Sequence, residues 1–248
     1  MKKISNIYKT GLLIIVMSIG IHNDLDEAIS DLQGTDAHIT GGVGSYDLLY
    51  GGDKTLWTKF AYGLKARYTM RLLHRSTDKQ GDLQKVIDYV EQSFASADEQ
   101  AAFNVYDAAN LNPLFDFQWS RDGLAASKSL FDRLAERDDP RLRRAFVNAG
   151  WSQITGSDDE SLMLAPNGGN SEVQYYYNTS VFVFSQTAAT QLLSYHELQF
   201  LKAEALCRLD KTEEAKPVLK EAFVSAVANL EASVEAALAA LNERIGQG

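Results

Sequence analysis

The sequence predicts a mainly α fold: tetratricopeptide-like helix pairs with a loop-rich insertion containing short strands. Three observations predict it. Apolar residues recur at three-four spacing on either side of a tight turn in two places, about residues 53–94 and 191–229. The stretch between them, about residues 95–190, is richer in Asn, Gly, Asp and aromatic side chains and interrupts that spacing. A composition of 45% hydrophobic and 23% charged residues over 248 positions suits a buried core, and a single cysteine rules out an internal disulfide.

Residues 1–23 have the layout of a secretory signal. Lys2, Lys3 and Lys9 precede a short apolar run, Leu12 to Met17, and no cysteine follows for a lipid anchor. The domain proper is expected at 24–248. Leu25, Ala28, Ile29 and Leu32 then mark a short amphipathic helix. Gly41, Gly42 and Gly44 lack the third glycine and the preceding strand of a dinucleotide fingerprint, so they read as a loop.

A glycine turn at Gly51-Gly52 leads into a helix capped by Asp53, with Trp57, Phe60, Ala61, Leu64, Tyr68, Leu72 and Leu73 on its apolar stripe. Ser76 to Asp82 reads as a polar turn, and Leu83 to Phe94 as the second helix of the pair. In the insertion, Leu124 to Glu136 is expected to be helical, capped by Ser120 or Asp122 and ended before Pro140. Val173, Tyr175, Tyr177, Val181 and Val183 alternate over Glu172 to Gln186, which suggests a hairpin around Asn178.

The stretch Ser194 to Ala215 is the best specified. Leu198, Leu201, Ala205 and Leu209 form one helical face, ending at about Leu209, and Asp210 with Glu213 has the form of a capping box. Cys207 within it is expected as a small packed side chain. Pro217 predicts a kink or a late start for the next helix. Phe223, Val227, Leu230, Val234, Leu238, Leu241 and Ile245 continue an apolar stripe, as one long helix or a broken pair.

The formal net charge of -9, with no basic cluster beyond Arg141 to Arg144, argues against nucleic acid as a partner. His196-Glu197 begins like a zincin helix, but position 200 is Phe, so the second imidazole is missing. No serine has nucleophile-elbow spacing, and no phosphate loop or cofactor motif is present. Asp138-Asp139 reads as loop or cap carboxylates, and the trio Asp158 to Glu160 as loop acids, so neither a catalytic pair nor a metal site is expected. The suggestive feature is the set of aromatic rings in the insertion: Tyr106, Trp119, Trp151, Tyr175, Tyr176 and Tyr177. An exposed ring can stack on the C–H face of a sugar while Asn, Asp and Gln bond its hydroxyls; the alternative for each ring is core packing.

Two stretches together resemble the SusD/RagB family of outer-membrane nutrient-binding proteins of Bacteroidetes-type bacteria. Tyr50 to Arg71 is similar to the family's glycine-aspartate turn and Trp-x-Lys-Phe-Ala-Asn-x-Leu-Lys-x-Arg helix, with Tyr62 where the family has Asn. Ser194 to Ala205 resembles its second signature, and Asp139-Pro-Arg-Leu142 falls between the two in the family's order. The resemblance covers about residues 24–229 and implies a tetratricopeptide-like scaffold. It also implies a non-catalytic, surface-exposed lipoprotein that captures glycans, oligosaccharide or polysaccharide, for a TonB-dependent (SusC-like) outer-membrane transporter. Against the family's usual length the chain reads as a truncated member. The signatures carry no ligand residue across. The alternative expectation is a helical-repeat interaction scaffold without a small-molecule ligand.

Overall fold

The computed structural model describes residues 20–35, 43–121, 123–146, 163–168, 177–179 and 185–246. Their elements in chain order are α1 (20–33), α2 (Lys54–Leu72), α3 (Lys79–Glu91), β1 (Ala101–Phe103), α4 (Pro113–Arg121), α5 (Lys128–Glu136), α6 (Arg141–Ala145), β2 (Thr190–Leu193), α7 (Tyr195–Arg208) and α8 (Thr212–Gly246). The two strands pair. The fold is mainly α, as the periodicity predicts. The chain divides into two compact units, Met1–Phe103 with Gln191–Val227 and Asn104–Thr190 with Ala228–Gly248.

In the first unit α2 packs against both α3 and α7, and α3 packs against α7 in turn. A helix enclosed by neighbours cannot carry bulk at the contact. The residues of α2 that are fully buried are accordingly small or polar: Ala61, Gly63, Lys65, Ala66 and Thr69. At Gly63 an added Cβ would lie 2.5 Å from Leu193 Cδ2 and 2.7 Å from Ser93 Oγ. The bulk comes from the partners, with Leu83, Val86, Ile87, Val90, Leu193, Leu198 and Leu206 filling the core. Each such side chain is worth roughly 1.5–3 kcal/mol when buried. The predicted stripe residues Phe60 and Leu64 lie at its margin, half-buried, and Trp57 is half-buried against the Phe60 ring.

Polar ties fix the register. Arg67 of α2 donates to Glu197 of α7 through Nε and one Nη, both at 2.6 Å, and to the Leu192 carbonyl at 2.9 Å. Lys59 pairs with Glu99 at 2.5 Å, and the Ser93 hydroxyl donates to the Lys59 carbonyl at 2.7 Å. Ahead of α2, Gly51 and Gly52 adopt φ of 63° and 85°, the left-handed region that favours glycine. Asp47 braces the turn by accepting from the backbone of Leu49, Tyr50 and Gly52 and from Trp57 Nε1 at 2.6 Å. Burial pushes its carboxyl up, but these bonds outweigh it and hold the pKa at about 2. Asp53 caps α2 as expected, accepting from Thr55 and Leu56.

The structure differs from the sequence reading at several element ends. α3 begins at Lys79, ahead of the expected Leu83, because Asp78 caps it by accepting from Gly81 N at 2.9 Å. The polar first turn Lys79 to Asp82 has no apolar period to announce it. Asp210 closes α7 and does not open α8: its φ is 60°, its N–H donates to Cys207 O at 3.1 Å, and Lys211 N donates to Leu206 O at 2.9 Å. α8 starts at Thr212 and runs through Pro217, so the late start and the broken pair are both replaced by one helix. Cys207 is exposed, on the α7 face opposite Leu198 and Ala205.

α1 lies on α2 through His22 Nε2 and Thr69 Oγ1, 3.0 Å apart. The Thr69 hydroxyl spends its only proton on the Lys65 carbonyl at 2.8 Å, so His22 Nε2 must be the donor. His22 Nδ1 is buried with no hydrogen-bond partner among the described residues. Lys65, itself buried, pairs with Asp26 and lies 4.6 Å from the Tyr89 ring centre and 5.8 Å from that of Tyr62. Tyr62, which stands where the resembled family has Asn, thus helps enclose this ammonium group. Helix α1 already runs at residue 20, so the boundary drawn at 23 and 24 falls inside it.

The second unit has its own small core of Ala126, Phe131, Leu134, Leu142 and Phe146, with the Phe131 and Phe146 rings edge-on at 5.4 Å. Ser127 caps α5, so the helix starts four residues after the expected Leu124. Of the expected caps, Ser120 is inside α4 and Asp122 lies outside the described residues. A parallel bridge joins Ser127 to Ala165. The hairpin expected over 172–186 lies outside the described residues except at 177–179, 185 and 186. There Asn178 accepts from Ala126 N and donates from its own N to Met163 O, both at 2.8 Å, tying separate loops together.

Two outcomes follow. Gly63→Ala would stabilise an exposed helix by up to ~1 kcal/mol, but here the added methyl meets Leu193 and Ser93, and overpacking costs ~1–3 kcal/mol; a lowered thermal midpoint is expected, and a raised one contradicts the packing. The second concerns pH. Burial foremost, then the Lys65 charge, holds the His22 imidazole below its usual 6.5, against opposing pulls from Asp26 and Asp82. A depressed pKa means that the neutral ring stabilises the fold above pH 6.5 and that this contribution is lost as pH falls through the lowered value. The stability difference between the wild type and His22→Gln, from urea titrations, should therefore shrink as pH drops below 6.5.

Candidate functional site

Among the described aromatic residues singled out from the sequence, Trp119 is the one held as an open platform. It lies on α4, a helix missed by periodicity but signalled by Asn112-Pro113. Asn112 caps the helix, accepting from Leu114 N at 2.8 Å, while Pro113 occupies the first turn, where no N–H is needed. Asn112 is buried and anchored in turn. Its Nδ2 donates to Ala188 O and its N to Gln186 O, each at 2.8 Å. At the other end Gln118 Oε1 accepts from Leu124 N at 2.7 Å. The helix is thus fastened at both ends.

Phe115 and Gln118 face inward from α4, 1% and 4% exposed, whereas Leu114, Phe117 and Trp119 are 58%, 46% and 59% exposed. Three large apolar side chains turned to solvent on a nine-residue helix are more than core packing requires. The Trp119 ring runs parallel to that of buried Phe115, 8° apart in plane and 6.1 Å between centres. Phe115 therefore sets the indole plane before any ligand arrives. Phe117 packs over Gly123, where an added Cβ would lie 2.5 Å from the ring. Such a surface can stack on the C–H face of a pyranose at little entropic cost.

The other expected site residues are placed differently. Tyr106 is half-buried, with its hydroxyl 2.8 Å from Thr190 Oγ1. Tyr177 is half-buried beside Asn178. Trp151, Tyr175 and Tyr176 lie outside the described residues, as do the acids Asp158 to Glu160. The sequence reading missed Leu114 and Phe117. Their signal was the Asn-Pro helix start followed by an apolar content too high for one buried face.

Catalytic chemistry finds no assembled group among the described residues. Glu197 is committed to Arg67, and its neighbour His196 is held below the usual imidazole range by burial, with Nδ1 unpartnered. Asp139 is held below the usual carboxylate range by hydrogen bonds from Arg141, so it does not form an acid/base pair with Asp138. No group of three His, Cys, Asp or Glu side chains among the described residues could hold a metal ion, and no helix among them is long and apolar enough to cross a membrane.

The family model described as "Starch-binding associating with outer membrane", SusD-like, matches residues 18–239. A SusD/RagB family protein from Bacteroides thetaiotaomicron is similar at 47% identity and a TM-score of 0.80, over 89% of this chain and 46% of that one. A chitin-binding protein is similar in fold at 21% identity and a TM-score of 0.62, over 90% of this chain and 52% of that one. A SusD homolog from Bacteroides vulgatus is similar in fold at 22% identity and a TM-score of 0.66, over 87% and 44%. No curated protein matches. The chain spans about half the length of these solved structures. Its match over residues 18–239 takes in both signature helices, α2 and α7, and the chain belongs to the SusD-like family of outer-membrane-associated binding proteins.

Proposed function

We propose that the chain is a non-catalytic glycan-binding protein of the outer-membrane surface. It captures oligosaccharide or polysaccharide and passes it to a TonB-dependent, SusC-like transporter. The observation that carries this reading is Trp119, an indole 59% exposed on a family scaffold described as starch-binding, with its plane set by Phe115. Export through the signal-like segment 1–23 belongs to the same reading. Tyr106, Trp151, Tyr175, Tyr176 and Tyr177 are further contacts in this proposal.

A second reading, an interaction scaffold without a small-molecule ligand, draws support from α8. Leu219, Phe223, Val224 and Val227 form an exposed apolar stripe on its part of the first unit. An apolar face of this kind is what a stacked helical repeat offers its neighbour.

Calorimetry against a panel of maltooligosaccharides, soluble starch and chitooligosaccharides separates the two. The first reading expects binding to at least one of these, weakened about 3- to 10-fold by Trp119→Ala, the worth of one aromatic stack. Absence of binding across the panel, with a protein partner retained regardless of sugar, would leave the scaffold reading.

A further inference from the structure

A cleft of about 450 Å³ opens at the turn between α5 and α6. This is within the size range of small-ligand pockets, roughly 300–1,000 Å³. Leu134, Pro140 and Leu142 supply its apolar lining, and Leu134 and Leu142 belong to the core of the second unit. Asp138 and Arg143 bring a carboxylate and a guanidinium to the same cleft.

The turn itself does not need either charge. Its backbone closes through Asp138 N to Ala135 O at 3.1 Å and Asp139 N to Leu134 O at 2.9 Å, with Asp138 at a left-handed φ of 48°. Asp139 is occupied by Arg141, whose Nε donates at 2.9 Å and whose Nη donates at 2.6 Å. Asp138 and Arg143 are left over. Neither side chain has a hydrogen-bond or ion-pair partner among the described residues.

A carboxylate accepts and a guanidinium donates, each through two atoms in one plane. One sugar hydroxyl can donate to Asp138 while another accepts from Arg143, with ring C–H groups against Leu134 and Pro140. The two charges cancel, and Asp139 cancels Arg141, so the cleft suits a neutral polyol better than an anion or a cation. We infer that the α5–α6 cleft is a second glycan-contacting site, taking one pyranose unit of a neutral oligosaccharide between Asp138 and Arg143. The inference rests on the glycan-binding reading above.

The test is titration of the ¹⁵N-labelled full chain with maltotriose, followed by amide chemical shifts. The variants are Asp138→Gly, Arg143→Met and Trp119→Ala. Glycine is at ease at this φ, so Asp138→Gly removes the carboxylate and keeps the turn. Shifts are expected over residues 134–143. Their apparent affinity should fall about tenfold in either cleft variant, the loss of one charge-assisted hydrogen bond, while shifts on α4 are unchanged. Trp119→Ala should do the converse. Shifts confined to α4, or cleft shifts that survive both cleft substitutions, overturn the inference and leave the glycan reading standing; no shift anywhere with maltotriose overturns the inference too, while the glycan reading is decided by the full calorimetric panel.

Discussion

The close approach of α3 and α7 to α2 is the constraint on which the first unit depends. It is possible because Ala61, Gly63 and Ala66 present almost no side chain at the contact, so the larger groups of the partners can occupy the space. Small residues at such a crossing also leave backbone carbonyls reachable, and the Ser93 hydroxyl uses one of them, that of Lys59. The bidentate pair of Arg67 and Glu197 then sets register, because its planar geometry tolerates little sliding of one helix along the other. Packing supplies the bulk of the stabilisation, and the polar ties decide which packing is adopted.

The same contacts explain why the two signatures identify a family without identifying a ligand. Trp57 is spent on Asp47, Lys59 on Glu99, Arg67 on Glu197, and Ser194 on capping α7. Each conspicuous residue of the motifs is turned toward another part of the same scaffold. In the proposed reading recognition falls to the second unit, where loops are held by a few backbone bonds and side chains face outward. There α4 is fastened at Asn112 and Gln118, and under that proposal the rigidity matters because the indole is oriented before a sugar binds.

Much of the fold was legible because helices that bury one face must repeat apolar residues at helical spacing. α2, α7 and the course of α8 follow from that rule, and Asp53 was readable as a cap because a short polar side chain before an apolar run has one obvious local use. The errors have equally local causes. The first turn of α3 is polar and so carries no period. Asp210 is followed at the right distance by Glu213, which mimics a capping box, yet an Asp can also take the left-handed backbone that ends a helix. Cys207 was expected to be packed, but the buried face of α7 is centred on Leu198 and Ala205, on the opposite side of the helix.

By itself the sequence determined the mainly α class, the two helix pairs and the family, since all of these follow from spacing and ordered motifs. Only the tertiary structure decided which of the aromatic rings stand open. Tyr106 and Trp119 are equally plausible platforms in one dimension. In three, the Tyr106 hydroxyl is engaged with Thr190, 84 positions away, while Trp119 rests on Phe115 with its indole largely in solvent. Exposure is a property of what packs around a side chain from distant parts of the chain, and local periodicity carries no record of it.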